Sequence, residues 1–177
     1  MRKVALLGEQ SNLTYLELRE AARGADEPTA WGRLPAAGDE YLHTDGSIHG
    51  IVLHAATSKV MYASQAFRDL EVRWRDLADR LDGFEPNWAA ALDYLDEAHE
   101  YWRAAWENLA DDDLEQDVPH FSGRLWPAWK IIATIVGHDA YHAGQVALLR
   151  YAVSPATSPP DSVAEDIRTH CSSLPGW

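Results

Sequence analysis

The feature that most constrains this chain is an unbroken apolar-periodic run from Trp126 to Tyr151. A stretch that long, with apolar residues returning every three to four positions, folds as one helix and needs other helices to cover it. Within it stands His138-Asp-Ala-Tyr-His142-Ala-Gly-Gln145. Two histidines four apart lie on one face, a turn from each other, so both imidazoles can reach one metal ion. Pro127 suits the first turn, and the helix is expected over about Pro127 to Tyr151.

The rest of the chain reads as helices separated by Gly, Pro and Asp punctuation. A first helix is expected from about Asn12 to Arg23, with Thr14 and Glu17 as a capping box and Gly24 as its stop. A long linker, Ala25 to Gly46, contains Pro28, Pro35 and Gly38. Its length suggests a segment lying across the bundle and helping to shape a site. A second helix starts at Ser47 as N-cap and ends near Phe67. A short amphipathic helix follows over Leu70 to Leu81, stopped at Gly83. A third helix opens after Pro86-Asn87 and ends near Asn108. The acidic run from Asp111 to Glu115 reads as a solvated turn. Beyond Tyr151, Pro155, Pro159 and Pro160 break any helix, and a short helix near 162–169 has a Ser162…Glu165 capping box.

Four main helices make an all-α four-helix bundle the expected architecture. The expected division is a bundle over residues 1–153 and an irregular Pro-rich tail, 154–177, packed on the same domain. With 177 residues the chain can bury a substantial core. Eight tryptophans, among them Trp74, Trp88, Trp102, Trp106, Trp126 and Trp129, read as core and helix-end filling.

Charge narrows the partners. A formal net charge of −13 repels nucleic acid phosphates and anionic membranes, and no apolar run is long enough to span a bilayer. The opening residues turn polar at Glu9, too early for a secretory signal. A single cysteine, Cys171, excludes an internal disulfide framework, and no basic cluster near it would activate the thiol. A cytoplasmic protein acting on a small molecule is the expectation.

A catalytic metal site needs a third protein ligand and an open position. His54 is the best third candidate, because it lies mid-helix in an apolar segment facing the helix of His138 and His142. Taken alone it would read as a neutral core histidine. His49 lies roughly 140° away around the helix and cannot share that face. His43, His120 and His170 read as exposed, and His99 as buried or as an outer or fourth ligand. Three neutral imidazoles leave a divalent ion strongly Lewis acidic, able to acidify water or a thiol. The zincin pattern fails, since Asp139 stands where Glu is required. A two-metal site built on Asp96…His99 and Asp139…His142 is a weaker alternative.

These segments resemble the DinB/YfiT-like family of metal-binding four-helix bundles. The resemblance is carried by Ser47-Ile48…Leu53-His54-Ala55 and by His138-Asp-Ala-Tyr-His142-Ala-Gly-Gln145-Val-Ala-Leu-Leu-Arg150, and helix order fits over residues 10–153. It implies one divalent metal ion, zinc or nickel foremost, held by His54, His138 and His142 with an open position. It also implies a homodimer, and an S-transferase-like activity with a low-molecular-weight thiol as co-substrate. A metal-dependent hydrolase and a non-catalytic small-molecule-binding bundle are the alternatives. Gln145 lies on the ligand face, as a helper or as packing. Arg124 and Arg150 are candidate clamps for a thiol's carboxylates, or simply surface cations.

Overall fold

The computed structural model describes residues 2–33, 46–82, 87–158, 163–174 and 177. Several expectations fall outside them: the linker residues Pro35, Gly38 and His43, the stop at Gly83, Pro86, Pro159, Pro160 and the Ser162 cap.

Four long helices carry the fold: α1 (Lys3–Arg23), α3 (Ile48–Phe67), α5 (Trp88–Trp106) and α6 (Ala128–Ala152). Three shorter ones are α2 (Glu27–Trp31), α4 (Trp74–Leu81) and α7 (Val163–Cys171). The long helices close a ring in which α1 touches α6, α6 touches α3, α3 touches α5 and α5 touches α1. Thus α1 and α3 face each other diagonally, as do α5 and α6. Each of these pairs is consecutive among the long helices, so its connection must cross the bundle.

Ser47 caps α3 by accepting the Gly50 N–H at 2.8 Å, and Asn87 caps α5 through Ala90 N–H at 3.1 Å. Helix α3 is covered on almost every side, from Ile48 to Ala66, which makes it the most enclosed of the four. Trp102 and Trp106 are fully buried where α5 meets α1 and α6. Burying an aromatic side chain of this size contributes about 2–3 kcal/mol. Trp88 also fills the core and donates to Ala25 O at 3.0 Å. Trp129 is exposed instead, and Trp74 lines a cavity.

Several boundaries differ from expectation for identifiable reasons. Helix α1 begins nine residues before Asn12, and Thr14 is an interior residue bonded to Gln10 O, not a cap. Its buried stripe runs Val4, Gly8, Ser11, Leu18 and Ala22. The small residues in that stripe give no hydrophobic signal, yet they let α5 approach closely: a Cβ at Gly8 would lie 2.5 Å from the Arg103 guanidinium, which would have to move aside. The start of α1 is fixed by Asp111, whose carboxylate accepts the Lys3 and Val4 N–H groups at 2.9 and 3.0 Å. Those bonds hold its carboxyl below the usual range. The acidic run is therefore a turn, with a 3-10 segment at Asp113–Glu115, and also the cap of a distant helix.

Helix α4 starts at Trp74, not Leu70, because Asp69 and Leu70 adopt positive φ (48° and 58°). Part of the expected linker is helical, as α2, with Asp26 accepting Thr29 N–H. The segment before α6 forms an unexpected antiparallel hairpin of β1 (Asp117–Pro119) and β2 (Leu125–Pro127), so Pro127 ends a strand and caps α6 from outside. Gly123, at φ 77°, makes its turn. Helix α7 packs on α4 and reaches α3. No helix among the described residues is long and apolar enough to cross a membrane.

Candidate metal centre

Contact between α3 and α6 brings His54, His138 and His142 together. The Nε2 atom of His138 lies 3.0 Å from His54 Nε2 and 3.2 Å from His142 Nε2. Three imidazoles thus aim the same ring nitrogen at one point. Zinc–imidazole bonds of about 2.0–2.1 Å in a tetrahedron place neighbouring nitrogens roughly 3.3 Å apart, and octahedral geometry about 2.9 Å. The observed separations lie between these, so the donor set fits a single first-row divalent ion. His54 and His138 remain partly exposed and His142 is buried.

Protonation agrees with that fit. Burial, reinforced by neighbouring His142, His54 and Lys59, pushes His138 down to about 2. Burial also pushes His142 down to about 4, against its hydrogen bond to Gln145, which works the other way. Both rings are therefore neutral at pH 7, the state a metal ligand requires.

Gln145 sets the orientation of His142. Its amide nitrogen donates to Tyr141 Oη at 3.0 Å, which turns Oε1 toward His142 Nδ1 at 2.7 Å. Nδ1 must then carry the proton, and the Nε2 lone pair points into the cluster. The ambiguity over Gln145 is thereby settled in favour of positioning a histidine. His138 Nδ1 has no acceptor among the described residues.

Behind the histidines lies a pair that sequence reasoning missed. Lys59 on α3 and Asp139 on α6 are both fully buried and joined as an ion pair. Burial draws the lysine down and the carboxyl up from their usual values, while each attracts the other's charged form. The pair bolts the two ligand-bearing helices together one residue from His138. A charge of each sign at interior helix positions was the available signal.

The remaining histidines lie elsewhere. His99 Nε2 donates to Asn12 Oδ1 (3.1 Å) and the ring stacks on Tyr15 at 3.9 Å, so it is neither a fourth ligand nor part of a second site. Asp96 is held by Arg19 and Tyr15, and Asp139 by Lys59. The two-metal alternative therefore loses its carboxylates. Among the described residues the one cluster able to hold an ion is His54, His138 and His142. His49 is buried near Trp88, away from the cluster. His120 was expected to be exposed but is buried, stacked on Trp126 at 4.0 Å in the hairpin turn. His170 is exposed on α7, as expected.

A cavity of about 380 Å³ opens from His54. Ser58 and Tyr62 continue its wall along α3, Phe121 comes from the hairpin, Trp74 from α4, and α7 closes the far side with Val163 and Ile167. Cys171 lines it too, with its thiol pushed up by burial. Neither Arg124 nor Arg150 reaches it. Arg124 is exposed in the hairpin turn, and Arg150 donates to Ala21 O. The arrangement thus combines a three-nitrogen cluster able to hold a metal ion with an adjoining space for a small molecule.

No curated protein and no solved structure matches the chain. The family model of the DinB superfamily matches residues 13–146, a stretch that includes all three histidines and the Lys59–Asp139 pair. On that match, and with a helical bundle that agrees with it, the chain belongs to the DinB superfamily.

Proposed function

We propose that the protein is a metal-dependent enzyme that transfers a low-molecular-weight thiol to a small electrophile, with zinc or nickel held by His54, His138 and His142. The observation that carries this reading is the convergence of three Nε2 atoms beside a cavity that opens from His54. A structural ion would be closed off by a fourth protein ligand, and none of the described His, Cys, Asp or Glu side chains supplies one.

The ion, when bound, would supply Lewis acidity that favours the thiolate form of a thiol at neutral pH. The chain supplies the rest. Gln145 fixes the His142 ring, the Lys59–Asp139 pair fixes the spacing of α3 and α6, and the cavity walls exclude water from the electrophile. In the transfer, the thiol sulfur forms a bond to the electrophilic carbon. The bond from that carbon to its leaving group breaks, and the leaving group departs with the electron pair. The thiol proton passes to solvent.

Transfer is favoured over hydrolysis because the carboxylate next to His138 in the sequence, Asp139, is tied to Lys59 and cannot serve as a base. Hydrolysis has one observation of its own, Asp166 in the cavity wall. A cytoplasmic setting, where thiols stay reduced, suits this activity. A homodimer is the proposed assembly. Leu13 and Leu16 on α1, with Tyr141 and Leu148 on the adjoining α6, leave exposed apolar side chains for a second copy.

The test is conjugation of thiols to 1-chloro-2,4-dinitrobenzene by zinc- or nickel-loaded protein. Chloride release is expected with wild type and Asp166→Asn, and loss of it with His142→Ala. An unchanged rate in His142→Ala would overturn the assignment. Ester hydrolysis lost in Asp166→Asn, without thiol conjugation, would establish the hydrolase instead.

A further inference from the structure

The cavity beside the histidines has a composition that restricts what can occupy it. Its walls are mostly apolar, with Trp74, Phe121, Val163, Ile167 and Leu174 around the space. Among the described residues lining it there is no lysine or arginine; His54 and His170 are the basic groups, and Asp166 adds a carboxylate. The chain as a whole carries −13. Away from an ion held at the histidines, an anion entering this space would lose hydration and gain no lysine or arginine partner.

Asp166 and His170 come from α7, and the other polar groups that line it are ordered along one helix. His54, Ser58 and Tyr62 stand at successive turns of α3. Tyr62 is the informative one. Ser122 N–H donates to His120 Nδ1 at 3.1 Å, which places the His120 ring proton on Nε2. That Nε2 faces Tyr62 Oη at 3.5 Å, so the phenol oxygen receives from His120 and its own O–H is left to donate. The residue lies on the cavity wall, where a ligand's acceptor could take that proton in a hydrogen bond.

Half of the lining residues come from α7 and the turn after it, beyond residue 146 where the family match ends. The floor of the site thus belongs to the shared bundle, and its far wall to a segment outside the matched stretch.

We propose that this cavity takes an uncharged small molecule with an apolar body and one hydrogen-bond acceptor, which Tyr62 engages and α7 selects. The inference deepens the reading above by naming the class of the electrophile, and it rests on that reading only for what happens at His54. An uncharged α-haloketone with an aromatic or aliphatic body has the required chemistry, its carbonyl serving as the acceptor and its halide as the leaving group, and the parent ketone keeps the features that bind. With about 380 Å³ available, the space suits a one- or two-ring molecule.

The test is equilibrium dialysis of the full chain, with a chelator present, against 2-acetylnaphthalene and its anionic isostere 2-naphthoate. The ketone is expected to bind at least tenfold more tightly. Ile167→Trp, which fills the α7 wall, is expected to weaken it tenfold or more. Tyr62→Phe is expected to weaken it about two- to tenfold, the range of one hydrogen bond. Leu174→Trp, at a partly exposed wall position, provides the same test if Ile167→Trp does not fold. Equal or tighter binding of 2-naphthoate, or ketone binding unaffected by both wall variants, would overturn the proposal. Because no metal is present, a failure here leaves zinc binding untouched, and a failure of zinc binding leaves this result standing.

Discussion

Two regions of the bundle bury histidines between facing helices, and they differ in what those histidines face. Between α3 and α6, three rings turn Nε2 toward a common point beside an open cavity. Between α1 and α5, His99 lies flat on Tyr15 and bonds to Asn12, next to the Tyr15–Asp96–Arg19 network. Both regions keep their histidines neutral by burial. Only the first converges its ring nitrogens on a common point. A buried histidine therefore says little about metal; convergence of ring nitrogens, with an outer partner fixing the tautomer, says much more.

The strongest way to break the comparison is through the pair that holds the first region in register. Lys59→Met leaves the Asp139 carboxylate buried without its cation, and urea melts should show a loss of about 3–5 kcal/mol. The double variant Lys59→Met/Asp139→Leu should recover most of that loss, since no charge is then stranded. If the single variant were as stable as wild type, the pair would not be bracing the two helices.

A smaller effect sharpens the role of the outer partner. Gln145→Leu removes the acceptor on His142 Nδ1 while leaving all three ligands, and zinc affinity measured by calorimetry should fall about 10–100-fold. Tyr15→Phe, the equivalent loss of an outer hydroxyl in the α1–α5 region, should leave zinc affinity unchanged.

The smallest expected effect concerns pH. Burial holds His99 at about 3, below its ordinary 6.5, with Lys59 and Arg103 pushing the same way and Asp96 opposing. The unfolded chain therefore takes up a proton that the native chain refuses. That contribution to stability is complete above pH 6.5 and is lost as pH falls toward 3. In His99→Phe, the stability difference between pH 7 and pH 5.5 should shrink by about 1 kcal/mol. An unchanged difference would show that His99 takes up its proton in the folded state as readily as in the unfolded one.

The comparison also explains what could be read from the sequence. His138 and His142 announce themselves by i, i+4 spacing in a long apolar helix, and His54 by its place in a second apolar helix. Helix caps such as Ser47 and Asn87 were equally legible, because their chemistry is local. The early start of α1 was hidden by Gly8 and Ser11, small residues that pack tightly without looking hydrophobic, and by a cap that comes from Asp111 far along the chain. The hairpin around Gly123 is too short to leave an alternating pattern. Asp139 was visible as a residue in the zincin position and as a two-metal carboxylate, and Lys59 as a member of a helical stripe, but their pairing was not, since it depends on how α3 meets α6. The cavity wall from α7 has no local signature at all, because it exists only once the tail packs on α4.

The measurement that tests the central claim most directly is zinc and nickel content per chain by elemental analysis, on wild type, His54→Ala and His99→Phe side by side. One equivalent in wild type and His99→Phe, with little in His54→Ala, is the predicted result. No metal in wild type after incubation with either ion, or a full equivalent in His54→Ala, would contradict a metal centre built from these three histidines.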